Sequence, residues 1–354
     1  MESLIKARTI TQMMSIQEGH NIGWRYVFIC GLHRSGTSVL GRNVARLENC
    51  TGFKDTGVIE DEGQFLQDVY PTGKVYGGAG KFGFDPRAHL TETSGLLTPE
   101  NALKLRQSWE RYWDQSKAIR VEKTPGNLLK TRFLQAMFPD SYFIVVRRHP
   151  VPVSMASQRW KINTTSLHRL LEHWLHCHDL FEQDKKYLTH LYELTYESYI
   201  ADPARYHEEI ARFIGTSVPE GAMEKVAVTH NQKYLGRWRN LLETSFFKVY
   251  YRHVARKYDP RFAKYGYSLT KGLGMGEEVL KRRGEASAAL GAVCCLGADV
   301  SAFLLRFGLR ARWCLKRGTK AVLPKFVMTR VRQRRRLSLS KGKTTVVSPG
   351  GCTH

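Results

Sequence analysis

A short segment near the N-terminus has the composition and spacing of an anion-binding loop. Residues 26–48 start with the apolar run YVFIC, continue with GLHRSGTS and end in a helical pattern. Gly31 and Gly36 stand in the spacing G-x-x-x-x-G of phosphate-binding loops. Backbone N–H groups at a helix start, with the helix dipole, bind a phosphate-type anion. Three side chains of the loop add hydroxyl groups: Ser35, Thr37 and Ser38.

The positive charge of this loop has an unusual position. Thr37 stands where a nucleotide triphosphatase places its lysine, and the cation is Arg34, inside the loop. This arrangement requires no metal ligand. The sequence therefore predicts an anion site built from amides, hydroxyls and one guanidinium.

Strands and helices alternate along the chain. YVFIC reads as a buried strand, and SYFIVVRRHP is apolar and β-branched. AIRVEKTP and LYELTYESY are predicted as two further strands, and amphipathic helical patterns separate the four. The alternation predicts an α/β, P-loop-like three-layer fold with a central parallel sheet flanked by helices. We expect this domain to occupy residues 24–270, after an N-terminal extension at 1–23.

Four motifs resemble one known family. GLHRSGTS resembles the 5′-phosphosulfate loop of sulfotransferases that use 3′-phosphoadenosine 5′-phosphosulfate (PAPS), of the P-R-S-G-T-T variety, with His33 and Ser38 as departures. VEKTPGN, FIVVRRHPVPVSMASQRW and LTYESYIADP resemble that family's later signatures, in order and spacing, although Thr195 and Ser198 depart from the last. The resemblance covers roughly residues 24–270. It implies PAPS as co-substrate and no required metal.

PAPS carries anionic groups at two ends, so the resemblance implies two cationic sites. The loop would hold the 5′-phosphosulfate through Arg34, Ser35, Gly36, Thr37 and Ser38. Arg148 would hold the 3′-phosphate, since an arginine fork matches phosphate geometry. We prefer Arg148 over Arg147 because R-H-P resembles the family's R-D-P.

Further donor contacts are expected from two later segments. The family's serine, about eight residues after the arginine, falls at Ala156 here, so Ser154 and Ser157 beside it are the candidates. Near the end of the domain, Arg237 could reach the 3′-phosphate, and Trp238 could stack on adenine or lie in the core.

The resemblance also implies catalytic roles. Arg34 would neutralise the leaving group, and an acidic residue would act as general base. We expect Glu62 in that role, with Asp61 second. Lys123 would steady the transferred sulfonate or the base. His33 either assists catalysis directly or shapes the loop.

The C-terminal part of the chain differs in character. The chain has 55 Lys+Arg against 32 Asp+Glu, and residues 271–354 carry +14 of the net charge of +23. We expect a basic, partly apolar, helical or disordered extension at 271–330 and a disordered tail at 331–354. Residues 286–305 are nearly all apolar, but Asp299 lies centrally, which is costly in lipid. This favours a membrane-surface or partner-docking helix over a membrane span.

The cysteines and the N-terminal residues indicate in which cellular compartment the protein works. Seven cysteines at irregular spacing indicate neither a zinc site nor a disulfide framework, and His173 with His176 lacks further ligands at metal spacing. Residues 1–20 contain no apolar stretch long enough for a signal peptide. We therefore expect a cytoplasmic protein that associates with membranes through its C-terminal extension.

The predicted function is transfer of a sulfuryl group from PAPS to a hydroxyl of a carbohydrate, glycolipid or protein acceptor. We expect no specific binding of nucleic acid. A P-loop kinase is one alternative, although the chain lacks Gly-Lys-(Ser/Thr) in the loop. The other is an inactive protein that binds polyanions or membranes through its basic tail.

Overall fold

The structure is a computed structural model that describes residues 24–158, 165–221, 223–224, 230–274 and 285–322. The expected N-terminal extension at 1–23 and the expected tail at 331–354 lie outside these ranges. Contacts divide the chain into two units, with the boundary between Val300 and Ser301.

A five-stranded sheet forms the centre of the first unit. All neighbouring strands pair in parallel, in the order β2-β3-β1-β4-β5. The strands are β1 (Arg25–Gly31), β2 (Cys50–Gly52), β3 (Ile119–Lys123), β4 (Tyr142–Arg147) and β5 (His190–Thr195). The three-layer fold with a central parallel sheet is therefore confirmed.

Helices cover both faces of the sheet, and they are named here in chain order. They are α1 (Thr37–Val44), α2 (Pro99–Glu110), α3 (Thr131–Met137), α4 (Pro150–Gln158), α5 (Leu167–Asp184), α6 (Tyr196–Ala201), α7 (Pro203–Ile214), α8 (His230–Glu243), α9 (Lys248–Ala263) and α10 (Glu285–Val322).

Two apolar cores explain why the sheet is buried. Alternate side chains of β1 enter opposite layers. Phe28 packs with Trp109 and Phe143 on one face, and Ile29 packs with Leu40 on the face covered by α1 and α7. Because both faces are covered, β1 and β4 consist almost entirely of apolar residues, as in other parallel sheets, whereas β3 and β5 also carry charged residues.

The carboxyl ends of three strands meet at one edge of the sheet. Lys123 of β3 pairs with Ile29 of β1, and Gly31 pairs with Val146 of β4. Ligands of open parallel sheets bind outside the carboxyl ends of the strands. The chain segments that follow β1, β3 and β4 are therefore the place to look for a site.

Candidate active site

The loop after β1 is shaped by two left-handed residues. Arg34 has φ 70° and Gly36 has φ 93°, so the chain turns sharply before α1 begins. The amide of Ser35 donates to the carbonyl of Leu32 at 3.0 Å. Within the described residues no side chain caps the start of α1. The first N–H groups of this helix therefore remain for an anion.

Side chains of the loop divide between the interior and the surface. Arg34 is exposed and Ser38 is half-buried, whereas Ser35 and Thr37 are buried. The Ser35 hydroxyl has no hydrogen-bond partner in the part of the chain that the structure describes. A buried hydroxyl without a partner is costly, so this group suits a ligand that bonds to it.

An aromatic ring closes the back of the loop. A Cβ atom placed on Gly36 would lie 2.4 Å from Cδ2 of Tyr196, so only glycine allows this approach. The guanidinium carbon of Arg148 lies 4.2 Å from the centroid of the same ring. Tyr196 therefore contacts both the loop and the arginine that follows β4, which places these two segments together.

The close approach at Gly36 predicts a large effect of one added methyl group. We expect Gly36→Ala to lower the free energy of unfolding by about 2–4 kcal/mol, because it combines left-handed strain with the clash against Tyr196. Gly57→Ala is the matched control, since Gly57 is also left-handed (φ 81°) but faces open space. The control should cost only about 1 kcal/mol. Equal losses in denaturant unfolding of the two variants would contradict the argument.

Arg148 occupies a buried position beside the loop. It is 6% exposed, and its guanidinium donates from Nη1 to the carbonyl of Arg34 at 2.7 Å and from Nε to Oδ1 of Asn231 at 2.8 Å. The indole of Trp174 donates to the Arg148 carbonyl at 3.0 Å. The remaining nitrogen, Nη2, is buried without a partner among the described residues. It is thus a donor fixed in place for an anion.

The adjacent arginine has a different environment. Arg147 forms ion pairs with Glu182 at 2.7 Å and with Glu193 at 3.2 Å. Its charge is therefore already balanced, whereas the contacts of Arg148 are a carbonyl, an amide oxygen and an aromatic ring. The geometry favours Arg148 as the ligand-binding member of the pair.

A carboxylate organises the surroundings of Arg148. Glu197 accepts hydrogen bonds from the amide of His149 at 3.1 Å, from Nδ2 of Asn231 at 2.6 Å and from the hydroxyl of Tyr267 at 3.0 Å. Because these bonds fix the amide of Asn231, they also fix the oxygen that accepts from Arg148. Sequence reasoning gave Asn231 and Glu197 no role.

The two candidate serines lie on the buried side of α4. Ser157 donates to the carbonyl of Val153 at 2.8 Å, within its own helix. The Ser154 hydroxyl is buried and lacks a partner among the described residues. Both serines line a cavity of about 10 Å³ together with His33 and His173, which is room for about one water.

The late candidates Arg237 and Trp238 lie on α8. Trp238 is fully buried, and its indole donates to the carbonyl of Leu269 at 2.8 Å. It has no ring face for stacking on adenine, because the core encloses it. Arg237 is exposed, and the contact of this helix with Arg148 is made by Asn231.

Catalytic candidates converge at the carboxyl end of β3. Nζ of Lys123 lies 3.4 Å from Oε1 of Glu62 and donates to the Glu60 carbonyl at 2.9 Å. The Ser38 hydroxyl of the loop donates to Oε2 of Glu60 at 3.2 Å. Glu62 is only 5% exposed, and this burial raises its pKa although Lys123 and Gln64 act in the opposite direction. A buried carboxylate with a raised pKa suits a general base.

The second candidate base, Asp61, makes other contacts. Its carboxylate accepts from the amide of Thr56 at 2.9 Å and from the Thr56 hydroxyl at 2.5 Å. Burial favours a higher pKa for Asp61, but these hydrogen bonds and nearby Lys123 outweigh it and lower the pKa. Asp61 therefore holds its own loop in shape, whereas Glu62 contacts Lys123 directly.

A buried glutamate beneath the site was missed by sequence reasoning. Glu122 is fully buried and accepts from the amide of Gly63 at 2.9 Å, from Oγ1 of Thr124 at 2.5 Å and from Nδ2 of Asn127 at 2.6 Å. Burial raises its pKa to about 7. Its bond to Gly63 fixes the backbone next to Glu62. The motif EKTP contains this residue, but only its lysine suggested chemistry.

His33 is held neutral in this structure. Burial, with the positive charges of Lys123, Arg34 and Lys130, lowers its pKa to about 3. Its ring meets the ring of Phe82 edge-on, with centroids 5.6 Å apart. At neutral pH the imidazole therefore adds no positive charge to the loop.

A groove of about 540 Å³ adjoins these catalytic candidates. It runs beside α1, and Ser38, Glu60 and Lys123 line it near the loop. Phe53 and Arg46 line it as well. Its wall combines charged, hydroxyl and aromatic groups. Asp61 is one of its lining residues, whereas Glu62 adjoins it through Lys123. The described residues contain no group of three or more His, Cys, Asp or Glu that could hold a metal ion.

Comparisons with solved structures return sulfotransferases. The chain is similar to sulfotransferase STF1 from Mycobacterium tuberculosis H37Rv, with 14% identity, a TM-score of 0.40 and coverage of 61% of this chain and 73% of that chain. It is similar to the sulfotransferase domain from the curacin biosynthetic pathway, with 15% identity, a TM-score of 0.40 and coverage of 66% of this chain and 97% of that chain. It is also similar to the sulfotransferase from Alicyclobacillus acidocaldarius, with 16% identity, a TM-score of 0.38 and coverage of 75% of this chain and 99% of that chain.

Sequence comparison assigns the family. No curated protein matches the sequence significantly. The profile of the sulfotransferase family matches residues 26–220, which is more than half of the chain. The match extends from β1 through α7, and it includes the loop, the candidate bases and Arg148. The chain therefore belongs to the sulfotransferase family.

Proposed function

We propose that the protein transfers a sulfuryl group from PAPS to a hydroxyl of a carbohydrate or glycolipid acceptor. One observation carries the choice of donor: the hydrogen bond from Arg148 to the carbonyl of Arg34 joins the loop to a second cationic site. Two buried polar groups of these segments lack partners in the described chain, namely Ser35 Oγ of the loop and Arg148 Nη2. A donor with anionic groups at both ends matches such an arrangement.

Each part of the site then has a role. The loop amides and the Ser35 hydroxyl bind the 5′-phosphosulfate, and Arg34 neutralises the charge that develops on the leaving phosphate. Arg148 binds the 3′-phosphate through Nη2. The extended donor is thereby held at both ends, which orients its sulfur toward the groove.

The acceptor hydroxyl loses its proton as it attacks. Glu62 takes this proton, because its raised pKa and its contact with Lys123, which lines the groove, suit a general base. Lys123, 3.4 Å from Glu62, offers its ammonium group to the transferred sulfonate. Sulfuryl transfer resembles phosphoryl transfer in that positioning and charge stabilisation supply most of the catalysis. None of these roles requires a metal ion.

The groove supports a carbohydrate-type acceptor. Its lining alternates charged side chains such as Arg46 and Glu60 with hydroxyls and the ring of Phe53. Sugar hydroxyls need many polar partners, and sugar rings pack on aromatic faces. A protein hydroxyl is the other acceptor class within this proposal, and a screen of sugar, glycolipid and peptide acceptors separates them.

The proposal extends to location. We place the enzyme in the cytoplasm, where Cys30, Cys50 and Cys177 would remain the free, buried thiols that they are in the structure.

Nucleotide binding tests the donor assignment. We expect 3′,5′-ADP without Mg²⁺ to stabilise the protein by about 2.7 kcal/mol at a hundredfold excess over its Kd, a rise in Tm of roughly 5–10 °C. ATP with Mg²⁺ should leave the Tm unchanged, because Thr37 replaces the lysine that a kinase needs. Stabilisation by ATP with Mg²⁺ alone would favour the kinase. Stabilisation by neither nucleotide would favour an inactive binding protein.

A further inference from the structure

The C-terminal helix α10 presents an apolar face to solvent. Its segment Ala289–Gly308 is long and apolar enough to cross a membrane, judged by length and composition. Large apolar side chains recur along it, mostly every three or four residues, and each is between 49% and 67% exposed. At 100° per residue, all but one fall on one side of the helix. This outer stripe consists of Leu290, Val293, Leu296, Val300, Phe303, Leu304 and Phe307. Leu305, beyond Val300, is 59% exposed on the other side.

The opposite face of the helix is built from small residues and packs on the enzyme. A Cβ atom on Gly291 would lie 2.4 Å from the side chain of His253, so the backbone of α10 lies directly against α9. Cys294, Cys295 and Ala298 are half-buried against the core beneath. The segment up to Val300 therefore has a protein-facing side as well as a solvent-facing side.

Asp299 fastens this inner face. Its carboxylate accepts from the Ser166 hydroxyl at 2.5 Å and from Nε of Arg169 at 3.3 Å, and it lies 3.3 Å from Nε2 of His168. A helix that spans a bilayer is surrounded by lipid or by other spanning helices. Here the carboxylate has three polar partners at the start of α5 instead, which favours a helix docked on the enzyme.

The sequence beyond the stripe indicates what covers it. Residues 306–354 contain 14 Lys+Arg and no Asp or Glu. An amphipathic helix with large apolar side chains, next to a cluster of basic residues, binds at the surface of membranes that contain anionic lipids. The charge of this sequence therefore favours a surface of anionic lipids as the partner of the stripe.

We infer that the apolar segment of α10 lies in the plane of an anionic membrane, with the outer stripe in the lipid and the inner face of its first part, up to Val300, on the enzyme. This arrangement docks the enzyme on the membrane without a span. It depends on the helix and on the basic sequence that follows, and it holds whichever acceptor or donor the enzyme uses.

Vesicle flotation with the full-length protein tests the inference. The vesicles contain phosphatidylcholine with about 30% phosphatidylserine, or phosphatidylcholine alone. We expect binding to the anionic vesicles that weakens as salt is raised, because salt screens the basic segment. Leu296→Asp combined with Phe303→Asp should weaken this binding at least about tenfold, since each places a charge in the stripe.

Matched substitutions control for exposure and folding. Val75→Asp with Tyr187→Asp changes two side chains that are 65% and 60% exposed but lie outside the helix, and it should leave vesicle binding intact. The milder pair Val293→Ser with Val300→Ser repeats the test if the aspartates lower the Tm. The Arg148→Ala variant should bind vesicles like the parent chain even if it binds 3′,5′-ADP more weakly. Vesicle binding and nucleotide binding are therefore tested independently, and a failure of one can be distinguished from a failure of the other.

Three results would overturn it. The stripe variants could bind anionic vesicles as the parent does. The parent could float equally with both kinds of vesicle at all salt concentrations, as a spanning helix would. Sedimentation without lipid could also reveal a dimer that Leu296→Asp with Phe303→Asp dissociates, which would make a second copy of the chain the occupant of the stripe.

Discussion

Glu62→Gln is expected to lower kcat for sulfuryl transfer by about 10²- to 10⁴-fold while the affinity for 3′,5′-ADP stays unchanged. The amide keeps the size of the carboxylate but cannot accept the proton of the acceptor hydroxyl. Because burial raises the pKa of Glu62, the base is lost at a higher pH than for an ordinary glutamate. Activity of the parent should therefore fall as the pH drops through this raised pKa.

The pH profile distinguishes a base from a structural residue. In Glu62→Gln the acidic limb of the kcat/KM profile should disappear along with most of the activity. Asp61→Asn separates the two candidate bases, and we expect a loss below tenfold because Asp61 bonds to Thr56 rather than to Lys123. A larger loss in Asp61→Asn than in Glu62→Gln, with the acidic limb preserved in the latter, would assign the base to Asp61.

Arg148→Ala is expected to weaken binding of 3′,5′-ADP roughly 100-fold. A hydrogen bond to a charged partner contributes about 1.5–3 kcal/mol, and the substitution removes the buried Nη2 donor that we assign to the 3′-phosphate. It also removes the bonds to Asn231 and to the Arg34 carbonyl, so part of the loss comes from the loop itself. Calorimetric titration measures the change.

The neighbouring arginine is a matched control within the same strand end. Arg147→Ala removes the same charge one residue earlier, but that charge is balanced by Glu182 and Glu193. We expect a change in affinity below about threefold. Comparable losses in both variants would mean that general positive charge, rather than the fork of Arg148, attracts the nucleotide.

Apolar periodicity was sufficient to predict most of the sheet. The runs that became β1 and β4 are continuous and apolar, as buried parallel strands are. The strands β3 and β5 were predicted as well, but the predicted strand LYELTYESY ends at Thr195, and Tyr196–Ala201 form the helix α6. The strand β2 was missed, because three residues, Cys50–Gly52, carry no periodic signal. Helix α2 was missed as well, since Pro99–Glu110 has a weak apolar pattern between polar residues.

The sequence predicted those site residues that lie close together in one short segment. Gly36 and Arg34 belong to one loop, so their spacing alone suggested an anion. Asn231 lies 83 residues from Arg148, and no local pattern connects them. Tyr196 stood in a recognised motif, but only the fold brings its ring against Gly36. Such contacts depend on tertiary packing, which a single sequence does not encode in any short window.

The hydrogen bond between Arg148 and the Arg34 carbonyl has a consequence for how mutational data will combine. Arg148 donates to the loop backbone and lies against the ring of Tyr196, which also contacts Gly36. Arg148 and Gly36 therefore behave as one thermodynamic unit, so the energetic penalties of changing them separately should not sum. Once either end is broken, the other has already lost part of its preorganisation. Binding of the nucleotide therefore depends on the loop and on Arg148 together, although these follow strands that are far apart in the chain.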